Sequence, residues 1–146
     1  MLSPGEESYL LRAWPLISSL REALRTERNV RLAVLYGSRA RGDHHEGSDV
    51  DILVDLVDGS TSRQLALADR LEKAVGKPVQ LLEIGAARRA PLLLAAALDD
   101  GRVLIDRAEA WAALQAERSA IAADAAIADA DLRARAQAAI AELLTT

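Results

Sequence analysis

Gly37-Ser38, ten residues, and then Asp49-Val50-Asp51 constrain this chain more than any other stretch. The two aspartates stand at the start of an apolar run, Val50, Ile52, Leu53 and Val54, which reads as a strand. Side chains two apart on a strand point the same way, roughly 6.5–7 Å from each other along the chain. Asp49 and Asp51 are therefore expected on one face. Two carboxylates so placed reach one Mg²⁺, or bridge two ions about 3.5–4 Å apart. Upstream, Val30 to Tyr36 reads as another strand, ended by a turn at Gly37-Ser38. The backbone N–H groups of such a turn cradle a phosphate, above all where a helix begins. A phosphate-holding turn that faces a metal-holding strand is the minimum needed to transfer a phosphoryl or nucleotidyl group.

The rest of the chain alternates strand and helix signals. Glu6 to Arg28 carries Leu10, Leu11, Trp14, Ile17, Leu20 and Leu24 near a 3.6-residue period, and Pro15 predicts a kink or break. Val30 to Tyr36 is apolar on nearly both faces, as a covered central strand is. A short helix or loop over Arg39 to Gly47 leads to the second strand, Asp49 to Leu56. A helix capped by Ser60 or Thr61 runs to Val75, and Gly76-Lys77-Pro78 ends it. A third strand over Val79 to Ile84, a helix over Ala86 to Leu98 and a short strand over Val103 to Ile105 follow. This order predicts an α/β sheet domain.

Several polar residues near the turn carry two readings. The guanidinium of Arg39 or Arg41 can pair bidentately with triphosphate oxygens, or tie the loop to a carboxylate such as Asp43 or Asp55. His44-His45-Glu46 contains metal-ligand types, but adjacent histidines in an exposed loop seldom converge on one ion. Ser38 has no base placed beside it by any motif, so its hydroxyl suits phosphate binding better than nucleophilic attack.

Leu35-Tyr36-Gly37-Ser38-Arg39-Ala40-Arg41-Gly42 followed by Ser48-Asp49-Val50-Asp51-Ile52-Leu53-Val54 resembles the minimal nucleotidyltransferase (MNT) family of the DNA polymerase beta-like superfamily. The likeness is specific over residues 30–56 and looser to about residue 106. It implies a nucleotidyltransferase fold, a small mixed β-sheet flanked by helices. It also implies Mg²⁺-dependent transfer of a nucleoside monophosphate from NTP, with ATP the expected substrate. Asp49 and Asp51 match the metal ligands and catalytic carboxylates. Gly37, Ser38, Arg39, Arg41 and Ser48 fall at the nucleotide-binding positions. Many relatives are antitoxins beside a helical HEPN-family RNase toxin, some adding AMP to it. A HEPN-like toxin is thus the implied protein partner. Relatives commonly carry a third acidic residue on the third strand, where Pro78-Val79-Gln80-Leu81-Leu82-Glu83 places Gln80. Glutamine accepts hydrogen bonds but neither takes a proton nor neutralises Mg²⁺. Glu83, three residues on, should face the opposite side. Three functions remain open: AMP transfer to a protein acceptor by a toxin–antitoxin antitoxin, neutralisation of a toxin by binding alone, and transfer to an aminoglycoside-like small molecule.

Composition bounds these options. The chain has 146 residues, 51% of them hydrophobic, enough for one ordinary core. It has no cysteine, so disulfides and thiolate metal sites are excluded, as suits a reducing, cytoplasmic setting. A net charge of −4 argues against general nucleic-acid binding. No apolar run approaches the roughly 20 residues that cross a bilayer, and the N-terminus shows no signal-peptide pattern. Residues 1–106 are expected to form the nucleotidyltransferase-like domain. Residues 107–146, rich in alanine, are expected to be a helical extension packed on the domain or on a partner, with room for a break near Asp129 and Asp131. Homo-oligomerisation is left open.

Overall fold

The computed structural model describes residues 1–145. Four strands form one sheet in the order β3-β2-β1-β4, where β1 is Val30–Tyr36, β2 Val50–Leu56, β3 Val79–Glu83 and β4 Arg102–Asp106. β1 runs antiparallel to β2 and to β4, while β2 and β3 are parallel. The C-terminal end of β1 and the N-terminal ends of the other three strands therefore share one end of the sheet.

Strand alternation divides the core between two faces. Ala33, Leu35, Ile52, Val54 and Val79 meet helices α1 (Pro4–Arg25) and α3 (Thr61–Val75) through Ile17, Leu20, Leu24, Leu67 and Leu71. Leu32, Val34 and Leu53 meet the other layer, made of α4 (Ile84–Arg88), α5 (Pro91–Asp100), α6 (Ala110–Ala116) and the start of α7 (Arg118–Thr145). Leu114 and Ile121 belong to this second core, so the chain beyond residue 106 helps to cover the sheet. The very short α2, Ser38–Arg41, follows β1 directly.

Three helix expectations change. α1 continues through Pro15. Proline removes one N–H bond to the residue four back, and Leu11 there is 73% exposed, so water can take its carbonyl. The helix expected over Ala86 to Leu98 is split, because Pro91 opens α5 after Arg89 and Ala90. In the C-terminal region the interruption falls at Glu117, and α7 runs unbroken past Asp129 and Asp131. Those two aspartates pair with Arg133 and Arg135 four residues on, which supports a helix instead of ending it. No helix among the described residues is long and apolar enough to cross a membrane.

Candidate active site

Asp49 and Asp51 lie at the shared end of the sheet, at and just before the start of β2. Asp51 is half-buried and Asp49 exposed. Gly37 takes φ +76°, and a Cβ placed on it would lie 2.6 Å from Oδ2 of Asp51. The turn thus comes close against Asp51, and the missing side chain makes that approach possible. Burial and the neighbouring Asp49 charge push the Asp51 carboxyl above the usual carboxylate range, against a smaller pull from Arg41. Neither carboxylate hydrogen-bonds to another of the described residues.

That donor set fits a hard divalent cation. The two carboxylates repel one another, have no protein partner and gain from a shared positive charge. No cluster of three or more His, Cys, Asp or Glu side chains able to hold a metal occurs among the described residues. Two protein carboxylates completed by substrate phosphates and water is the usual Mg²⁺ arrangement. His44, His45 and Glu46 form no such centre: the His45 ring nitrogen Nδ1 accepts the Gly47 N–H at 3.1 Å within its own loop.

The basic residues divide. Arg39 is 5% exposed, and its guanidinium donates to the carbonyls of Ser48 at 2.9 and 3.0 Å and of Glu46 at 3.3 Å. Through these bonds it shapes the loop that delivers Asp49. Arg41 stays half-exposed beside the site and is held by Asp43 at 3.0 Å and Asp100 at 2.8 Å. Ser38 opens α2, whose first turn has no side-chain cap. The Ser48 hydroxyl accepts the His45 N–H at 3.0 Å and closes the same loop.

Gln80 is the register partner of Asp51 on the parallel neighbour strand, so it stands beside the carboxylates on their face. Glu83 is turned away and caps α4, accepting from the Gly85 N–H at 2.8 Å and the Ala86 N–H at 3.4 Å. Tyr36, which the sequence reading took as the end of a strand, pairs across β1 and β2 with Asp51. Burial first, and the Asp51 charge second, raise its hydroxyl pKa. Only the strand register could have revealed it. A concavity of about 690 Å³ between α1 and α3 is an open groove lined by residues such as Ser18, Thr26 and Arg70, and it contains none of these groups.

Comparison with known proteins agrees with this geometry. A curated protein of Methanocaldococcus jannaschii, provisionally named a protein adenylyltransferase, is 36% identical over 76 residues, which is 45% of this chain and 76% of that protein. Among solved structures, a toxin–antitoxin crystallised with AMP-PNP superposes with a TM-score of 0.58 at 24% identity, over 88% of this chain and 98% of the other. The MNT antitoxin complexed with a tri-AMPylated HEPN toxin of Shewanella oneidensis gives 0.50 at 22%, over 93% and 98%. The sequence profile "Polymerase beta, Nucleotidyltransferase" matches residues 18–110, which span the turn, both aspartates and all four strands, and the chain belongs to that nucleotidyltransferase family.

Proposed function

We propose that this chain transfers AMP from Mg-ATP to a hydroxyl on a partner protein, a HEPN-like toxin, and so acts as its antitoxin. The contact between Gly37 and Asp51 carries the reading, because it sets a phosphate-facing turn directly against two unpartnered carboxylates. Mg²⁺ held by Asp49 and Asp51 would screen the triphosphate and the charge that develops on it. The acceptor oxygen attacks the α-phosphorus, the bond to the pyrophosphate oxygen breaks, and pyrophosphate leaves. In this reading the backbone N–H and hydroxyl of Ser38, at the uncapped start of α2, would hold phosphate oxygens, and Arg41 would exchange Asp43 or Asp100 for one of them. The likeness to a protein adenylyltransferase supports a protein acceptor, and the likeness to antitoxins solved with toxins supports its kind.

A second reading, neutralisation by binding alone, draws on Gln80. No carboxylate stands there to take the acceptor's proton, so that proton must leave to solvent or to the acceptor's own groups. Positioning and charge stabilisation alone still accelerate such a transfer. ATP labelled on its α-phosphate, added with Mg²⁺ to a lysate of the source cells, separates the two. Transfer predicts label on one protein band, lost with Asp49→Asn/Asp51→Asn although that variant still co-purifies with its partner. No label, alongside stoichiometric co-purification of a helical protein, would leave only the binding reading.

A further inference from the structure

Four-residue α2 carries the turn against which Asp51 rests, and so short a helix does not hold itself together. A first helical turn fixes several dihedrals for one hydrogen bond and needs contacts from elsewhere. Here those contacts come from α1 and from β4, far apart in the chain. The Tyr9 hydroxyl donates to the Arg39 carbonyl at 2.8 Å. Arg102 Nε donates to the Ala40 carbonyl at 2.7 Å. The same guanidinium is gripped by both carboxylate oxygens of Glu6 and lies 3.7 Å over the centroid of the Tyr9 ring. Gly42, at φ +86°, leaves room for that ring, since a Cβ there would come within 3.2 Å of Tyr9 Cδ2.

We infer that Tyr9, Arg102 and Glu6 are positioning residues for nucleotide binding: they hold α2, and through it the Gly37-Ser38 turn, against Asp49 and Asp51. This rests on the nucleotide reading of the site proposed above. The charge states suit the task. Burial raises the Tyr9 pKa, so the hydroxyl remains a donor, and the hydrogen bond from Arg102 lowers that of Glu6, so the carboxylate remains ionised. Anchoring α1 to the sheet does not require the three residues. Leu20 and Leu24, with no exposed surface, secure that helix about three to five turns further along.

The test is calorimetric titration of the intact chain with Mg-ATP. Tyr9→Phe deletes one hydrogen bond and little volume, while Arg102→Lys keeps the charge beside Glu6 but not the reach to Ala40. Each should weaken nucleotide binding by about 5- to 10-fold. The double variant should lose less than the product of the two, because both act through one element. Arg107→Gln is the control for general loosening. Arg107 also holds backbone carbonyls, those of Leu24, Arg25, Glu27 and Val30, but far from the turn. It should lower the melting temperature and leave nucleotide affinity unchanged. Wild-type affinity in Tyr9→Phe, or an equal loss in Arg107→Gln, overturns the inference. Absence of Mg-ATP binding by the wild-type chain would defeat the nucleotide reading, and this inference with it.

Discussion

At the level of one residue, Asp51 holds its charge at a cost. Its carboxylate is half-buried, beside a second carboxylate and close against a glycine, with no hydrogen bond to another of the described residues. Its folded pKa is raised, so the sign of its linkage is fixed. Relative to the unfolded chain, the folded state is favoured while the group is protonated, below its ordinary pKa. That advantage is lost as pH climbs through the raised value. At neutral pH the ionised form therefore opposes folding. Asp51→Asn should melt about 1–3 °C above wild type at pH 7 without Mg²⁺, and the gap should close near pH 3.5, below the ordinary carboxylate value. Mg-ATP should stabilise wild type and not the variant. A variant that melts lower than wild type at pH 7 would contradict this account of the site.

At the scale of elements, what the sequence makes legible is what local chemistry determines. The strand–turn–strand around Gly37 and Asp51 is local, and both periodicity and turn residues point to it. The α3 boundary at Gly76 is likewise local, since that residue adopts φ +67° as the helix cap. Pro15 misleads because a helix tolerates proline where the orphaned carbonyl meets water and a buried stripe holds the rest. The site's cross-chain members are not legible at all. Tyr36 reaches Asp51 through strand register, and Arg102 reaches Glu6 across 96 residues. α7 poses a related difficulty, because alanine-rich sequence fixes helicity but not which turns are covered. Ile121 is 7% exposed within the second core, while Leu132 further along is 58% exposed. Ile121→Ala should cost about 2–4 kcal/mol of unfolding free energy, whereas Leu132→Ala should fall within about 0.5 kcal/mol of wild type. Urea unfolding of the two variants checks the pair; equal losses would mean that the distal helix is covered by its own chain.

For the whole molecule, a four-stranded sheet with both faces apolar needs a layer on each side. α1 and α3 supply one layer, and the other is completed by α6 and the first two turns of α7, almost all of it beyond the family match at residues 18–110. A cut after Asp106 would remove Leu114, Ile121 and Ala125, all under 10% exposed, and the Arg88–Glu117 and Arg118–Asp99 pairs with them. The sheet face over Leu32 and Val34 would lose part of its cover. The family match ends at residue 110, while buried contacts continue to Ala125. Beyond it, the end of α7 runs for 20 residues, to Thr145, about 30 Å of helix. Its Ile127, Leu132, Ile140, Leu143 and Leu144 are all more than half exposed. These opposed features give two truncations opposite outcomes. A chain ending at Ala125 should melt cooperatively within a few degrees of full length and keep Mg-ATP binding, yet lose co-purification with the proposed toxin partner. A chain ending at Asp106 should lose the cooperative transition itself. Should the 1–106 chain melt as sharply as the full one, α6 and the base of α7 would be an appendage and not a wall of the core. Should the 1–125 chain retain its partner, docking would have to use the sheet domain, and the bare helix would need another role.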